Sequence, residues 1–284
     1  MSDTTTGATT GTSADTPDLV DTIRAGSPAR IQTLPAAQGI ALRSLRNIRR
    51  LPSAFLPALL MPVIQAVAFS GTFFAITQIP GFPTDRSINW FLPLAVLMGS
   101  SFSGVGIGFA TVRDLESGFY DRLRMAPVPR RTLLLGPLLS AWARTTLVVV
   151  IVTAIGMALG ARLTAGPLGL LALYVAGLGM AAIGTGWGLG LAFRFRDMRA
   201  SAIMQLTLFL ALFLTTAQAP LEVMEGWLYE VARLNPLTSV LQLARMGFLG
   251  DITWAHTWPG LLALAVLAAL TMLFARRGLA TLDR

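Results

Sequence analysis

The chain contains neither lysine nor cysteine, and it has one histidine among 284 residues. Without lysine it has no Walker A phosphate loop, because that loop uses a lysine to contact the β and γ phosphates of a nucleotide. Without cysteine it has no disulfide, no thiolate nucleophile and no cysteine-ligated metal. The sequence therefore excludes a P-loop ATPase and a thiol enzyme.

Charged residues are also scarce. They make up 13% of the chain, against 54% hydrophobic residues and a mean hydropathy of +0.65, whereas soluble domains carry about 25% charged residues. The apolar residues fall in long runs of the length that crosses a lipid bilayer as helix. We therefore predict an all-α integral membrane protein with one membrane domain.

The first 37 residues are rich in Thr, Ser, Gly and Asp and lack the apolar core of a signal peptide. We expect a disordered cytoplasmic tail over residues 1–37 and a membrane domain over residues 38–284. The domain begins with an amphipathic pattern over residues 38–50, in which Arg43, Arg46 and Arg50 lie opposite an apolar face. This pattern predicts a helix on the inner membrane surface.

Six apolar segments are each long enough to span a bilayer. The predicted spans are residues 53–78, 88–112, 138–160, 168–193, 200–217 and 257–274. With both termini inside, seventeen arginines are cytoplasmic and four are outside, while Arg144 lies within a span. This bias favours a cytoplasmic location for both termini in a multi-pass protein of the cell membrane, and it explains the net charge of +8 without nucleic acid. The aromatic-rich residues 218–256 are predicted to form short helices at the outer surface.

Close glycines occur in two spans. The second span carries Gly104, Gly106 and Gly108, and the fourth carries Gly184 four residues before Gly188. A nucleotide-binding glycine fingerprint needs a strand before it and a helix after it, which these apolar helices do not provide. Small residues at this spacing predict close helix packing instead.

Two ionisable residues have open interpretations. Arg144 could bind substrate or pair across subunits, because a charge within a span is costly. Alternatively, it extends to the inner surface or packs near Glu116 or Asp121. His256, near the outer start of the last span, is one residue and supplies neither a catalytic network nor a set of metal ligands. We expect an interfacial position for it.

Residues 113–131 form a charged island between two apolar runs and contain five arginines. Within the island Leu115, Phe119 and Leu123 recur every fourth residue, which gives a helix an apolar stripe surrounded by charge. Such a helix can insert into a groove of a partner protein. Composition alone leaves an ordinary solvated loop equally open.

Two motifs resemble a known family. The sequence RDLESGFYDRLR at residues 113–124, followed by PVPR at residues 127–130, resembles the cytoplasmic signature of ABC-2 type transporter permeases, and most of all their daunorubicin-resistance branch. The sequence LNPLT at residues 234–238, with Arg245 and Gly250 after it, resembles the segment before the last span of that family.

The resemblance implies a six-span permease that forms a dimer with itself or with a related permease. It implies two copies of a separate ATP-binding subunit, which would carry ATP and Mg, while this chain binds no cofactor and is not an enzyme. Arg43, Arg46 and Arg50 would lie in a connecting helix. The implied docking residues of the coupling helix are Glu116, Gly118, Phe119, Asp121, Arg122, Leu123 and Pro127.

We therefore expect an exporter subunit for a lipophilic or amphipathic, drug-like compound, with roles in multidrug export or antibiotic resistance. A flippase for a lipid or glycan is the alternative within the family. A proton-driven transporter is disfavoured because the six spans contain no Asp or Glu, and a structural membrane protein is harder to exclude. The candidate substrate path lies along the dimer seam between the second and fifth spans. Its residues are Ser100, Ser103, Gln205, Thr215, Gln218 and Arg144.

The arginine distribution makes a testable prediction about topology. A reporter enzyme fused at Asp85 should report an outer location, because that loop carries one arginine and lies between the first two spans. A fusion at Asp197, between three cytoplasmic arginines, is the matched control and should report a cytoplasmic location. A cytoplasmic reading at Asp85 would overturn the predicted orientation.

Overall fold

A computed structural model describes residues 38–39, 41–42, 52–78, 82–118, 129 and 131–283. Within these ranges every regular element is helical and no strand occurs, so the predicted all-α class is confirmed. The α-helices are α1 (Pro52–Thr72), α2 (Ser87–Glu116), α3 (Thr132–Ala158), α4 (Gly166–Phe195), α5 (Ala200–Phe213), α6 (Gly226–Leu234), α7 (Pro236–Leu249) and α8 (Trp254–Ala280). Short 3-10 helices cover Phe74–Gln78, Leu221–Val223 and Thr281–Asp283. The predicted tail and Arg43, Arg46 and Arg50 lie outside the described residues.

Four helices, α2, α3, α4 and α8, are long and apolar enough to cross a membrane, with 27 or 30 residues each. They correspond to the second, third, fourth and sixth predicted spans. The first predicted span corresponds to α1, followed by a 3-10 helix, and the fifth corresponds to α5, which has only 14 residues. The membrane class is therefore confirmed, whereas the count of six spans stays a prediction.

The contacts between helices define their directions. Gly160 O accepts a hydrogen bond of 2.9 Å from Arg86, just before α2, while Gly106 lies beside Arg144 further along α2. Helix α3 therefore runs antiparallel to α2. Helix α4 runs parallel to α2, because Gly104 lies against residue 184 and Gly108 lies against residue 188.

Helix α8 runs parallel to α4, since Gly186 packs on Thr271 and Gly190 packs on Phe274. The C-termini of α2, α4 and α8 therefore share one side of the molecule, which we call the island end because the charged island follows α2. Helices α6 and α7, which one residue connects, are called the α6–α7 hairpin, and the opposite side is called the hairpin end because α7 packs there against the starts of α2 and α4.

Helix α2 lies at the centre of the molecule and touches α4 without intervening side chains. Of its most apolar 18-residue window, 89% is buried inside the chain, against 17% for α8, which is peripheral. A Cβ added to Gly108 would lie 2.7 Å from Gly188 Cα, and one added to Gly184 would lie 2.7 Å from Ser101 O. The predicted close packing of these glycines is confirmed.

Asn89 closes the hairpin end of the molecule. Its Nδ2 group donates to Arg162 O at 3.3 Å and to Phe248 O at 3.2 Å, while its Oδ1 accepts from Arg162 N at 2.9 Å. One buried side chain thus joins α2 to the loop after α3 and to the last turn of α7. Such satisfied buried groups fix how these elements pack.

The glycine contact predicts a local intolerance of side chains. Gly108→Ala should destabilise the fold by about 1–3 kcal/mol, because the new methyl group would overlap the α4 backbone. Gly106→Ala on the same helix is the matched control, since the nearest atom to its Cβ, Arg144 Nη1, lies 3.8 Å away. Melting temperatures of the purified variants in detergent measure the difference. Equal values for both variants would contradict the contact.

Candidate functional site

Helix α5 ends well before it could cross a bilayer. Its 14 residues extend about 21 Å, against about 30 Å of hydrocarbon. The predicted span continued to residue 217, but the chain turns after Phe213, and Thr215 and Ala217 are fully buried outside any helix. A helix that ends at such a depth must find hydrogen-bond partners for its last carbonyl groups.

Asn235 supplies partners for part of this helix end. Its Nδ2 group donates to Ala211 O at 2.7 Å and to Leu214 O at 2.9 Å, while its Oδ1 accepts from Leu237 N at 3.0 Å. The same side chain therefore completes the C-terminus of α5 and caps the N-terminus of α7. Pro236 at the first position of α7 fits this cap, since it needs no N–H partner there.

Arg245 on α7 binds carbonyl groups of α2 and of the segment that follows α5. Its Nε donates to Trp90 O at 3.1 Å, its Nη1 to Thr216 O at 2.7 Å and Thr216 Oγ1 at 3.3 Å, and its Nη2 to Ala217 O at 3.0 Å. The guanidinium carbon also lies 3.6 Å from the centre of the Trp90 ring. We call Arg245, Trp90, Thr216 and Ala217 the arginine clamp. It ties α2, α7 and the segment after α5 together.

The clamp holds a cation inside the protein without a counterion. Arg245 is 1% exposed and is the largest fully buried side chain among the described residues. No carboxylate in the described part of the chain pairs with it, so carbonyl dipoles and the Trp90 ring stabilise its charge. A buried charge held this way is sensitive to any movement of its partners.

A cavity of about 300 Å³ opens beside the clamp at the hairpin end. Its lining residues are Pro83, Trp90, Thr216, Pro220, Leu221, Glu222, Gln242, Arg245, Met246, Leu249, Asp251 and His256. His256 Nδ1 lies 3.2 Å from Asp251 Oδ2 and 3.0 Å from Thr253 Oγ1. No group of three or more metal-ligating side chains that could hold an ion occurs within the described ranges.

The first two predicted docking residues lie at the end of α2. Glu116 is the last residue of the helix and is exposed, and Gly118 takes a positive φ of 67° just after it. The second span and the start of the island therefore form one helix. The helix ends at Glu116, just before Gly118 adopts the left-handed conformation that glycine permits. Phe119, Asp121, Arg122, Leu123 and Pro127 lie outside the described residues.

The predicted substrate-path residues are dispersed. Ser100, Ser103 and Thr215 are buried, and each hydroxyl donates to a carbonyl of its own chain, namely Val96 O, Gly99 O and Leu212 O. Gln205 is exposed on α5, and Gln218 is half-buried. Arg144 is half-buried beside α2. None of these residues lines the cavity, and their role as a path stays a prediction.

Sequence reasoning did not find the central role of Arg245. The sequence places Arg245 in the motif before the last span and among the four outer arginines. A signal for its burial was present, because Arg245 lies in an otherwise uncharged helix, PLTSVLQLARMGFL, where a charge needs partners. Those partners, Thr216 and Ala217, lie 29 and 28 residues earlier, and no local pattern identifies them.

Comparison with known proteins gives concordant matches. A family model described as ABC-2 type transporter matches residues 36–249. The daunorubicin resistance ABC transporter permease protein DrrB1 of Streptomyces coeruleorubidus is 25% identical over 255 residues, which cover 87% of this chain and 86% of that protein. Proteins named as transport permeases ycf38 in Pyropia yezoensis and Porphyra purpurea are 29% and 26% identical. These alignments cover 78% and 72% of this chain, and 76% and 71% of the relatives.

The clamp predicts a large effect of one substitution. Arg245→Met should destabilise the protein by about 2–4 kcal/mol, because three buried carbonyl groups lose a charged donor. Arg233→Met is the matched control, since Arg233 is exposed on the neighbouring helix α6. The melting temperature and the monodispersity in detergent should fall for Arg245→Met only. Two variants of equal stability would contradict the clamp.

Proposed function

Because the chain belongs to the ABC-2 type transporter family, we propose that it is the permease subunit of an ATP-driven exporter of a lipophilic or amphipathic compound. The family works together with ABC ATP-binding subunits as a transporter. The chain itself has no lysine for a phosphate loop, so ATP and Mg would bind to the partner subunit. Two copies of that subunit and a dimer of permeases would complete the assembly.

The observation that supports coupling is the position of α2. Its C-terminus leads directly into the charged island, while Trp90 in its first turn belongs to the arginine clamp. The two positions are 26 residues apart, or about 40 Å along the helix axis. A displacement of the island by the ATP-binding subunits would therefore reach the clamp through one continuous, central helix.

The proposed cycle follows from this connection. Binding of ATP would close the partner subunits, and their motion would move the island and α2. The clamp would then exchange or lose some of its hydrogen bonds to Thr216 and Ala217. This change would open a route for the substrate to the outside at the hairpin end. Coupling of this kind needs a contact that differs between two states of the transporter. The hydrogen bonds of the clamp are polar contacts that could differ in this way.

The proposed orientation places the island end in the cytoplasm and the hairpin end outside the cell membrane. The arginine distribution supports this orientation, since Arg113, Arg194 and Arg277 lie at the C-termini of the parallel helices α2, α4 and α8. The substrate class is supported by the apolar surroundings of the spans and by the resistance function in the name of one relative. Flipping of a lipid or glycan is the second candidate within the family.

The island makes the function testable. Arg122→Glu and Phe119→Asp should each abolish co-purification of the ATP-binding subunit, or transport-coupled ATP hydrolysis, because they change the charge and the apolar stripe of the predicted docking helix. Membrane insertion should be unaffected.

Arg277→Glu serves as the matched control, because it makes the same charge reversal on an exposed residue at the same end of the molecule. It should retain both the partner and the hydrolysis. Full transport by both island variants would refute the docking assignment, and the absence of any associated ATPase would refute the exporter function itself.

A further inference from the structure

The cavity beside the arginine clamp has the properties of a ligand site. Its volume of about 300 Å³ lies at the lower end of the range for small-molecule pockets. One part of its wall is apolar and is formed by Pro83, Pro220, Leu221, Met246 and Leu249. The remaining wall is polar, so a ligand that fits it must be amphipathic.

The charges available to a ligand in this cavity are negative. Glu222 and Asp251 line it and are exposed at its mouth. Arg245 also lines it, but four contacts of its guanidinium N–H groups go to oxygen atoms of Trp90, Thr216 and Ala217, and the Trp90 ring covers its face. The remaining titratable group is His256, whose Nδ1 faces Asp251. The carboxylates of Glu222 and Asp251 are therefore the charged groups that a ligand can contact directly, and they favour a cationic group.

We propose that this cavity binds an amphiphile that has a protonated amine on an apolar body. Glu222 and Asp251 bind the amine, and the apolar wall contacts the body. A compound moved by the transporter and the amine head group of a membrane lipid share this chemistry. A role for the cavity in releasing the exported compound rests on the proposed function. Binding of an amine in the cavity does not depend on it.

The test uses the full-length permease, purified in a neutral maltoside detergent without its ATPase. N-octylethanolamine is the probe, and 2-(octyloxy)ethanol is its neutral counterpart, in which an ether oxygen replaces the amine. Isothermal titration should show tighter binding of the amine than of the ether. Glu222→Gln should weaken amine binding roughly threefold to fivefold, the range for an exposed ion pair, and leave binding of the ether unchanged.

Glu225→Gln is the matched control, because Glu225 is an exposed carboxylate three residues away that does not line the cavity. It should bind both compounds as the unmodified chain does. Equal affinity for amine and ether, or equal effects of the two substitutions, would overturn the proposal.

Added phosphatidylethanolamine distinguishes the two sources. Competition with the probe would identify the lipid head group as the occupant. A lack of competition would instead indicate that the exported compound is the occupant. Because no ATPase is present, failure of amine binding would leave the exporter function intact, and loss of ATPase association would leave the binding result intact.

Discussion

The structure depends on the requirement that every backbone carbonyl buried at membrane depth has a hydrogen-bond donor. A helix that crosses the whole bilayer meets that requirement with its own hydrogen bonds. Helix α5 does not, because it ends at Phe213 and leaves its last carbonyl groups without helical partners. Asn235, between α6 and α7, donates to Ala211 O and Leu214 O at this helix end, and Arg245 on α7 donates to Thr216 O and Ala217 O in the segment that follows. The position of the hairpin, the burial of a cation and the cavity beside it all follow from these bonds.

The α2–α4 pair is stabilised in a different way. Gly104 and Gly108 bring the backbone of α2 onto the backbone of α4 at Gly184 and Gly188, so the contact depends on main-chain shape rather than on side chains. Dispersion over such a close interface replaces the hydrophobic effect, which does not operate between helices in lipid. The two helices therefore behave as one unit, in contrast to the polar and rearrangeable contacts around Arg245.

Sequence alone predicts the features that depend on local pattern. The all-α membrane class, the approximate positions of α2, α3, α4 and α8 and the glycine packing follow from runs of apolar residues and from residue spacing. The end of α5 does not, because LALFLTTAQAP contains no charge, glycine or proline before Pro220, and the helix end is bonded by Asn235, 22 residues after Phe213 in the chain. The clamp is missed for the same reason: its partners are distant in sequence, and hydropathy assigns Arg245 to the outer surface.

The shortness of α5 has a consequence for assembly. Its outward side chains Ile203, Leu206 and Leu210 are exposed in the single chain, and the helix offers about 21 Å of apolar length to hydrocarbon about 30 Å thick. Lipid bordering this face would have to thin, at a cost of a fraction of a kcal/mol for each ångström of hydrophobic mismatch. A second protomer with an equally short helix has no such mismatch. In the proposed dimer of permeases, bilayer thickness would therefore affect how strongly the two chains associate.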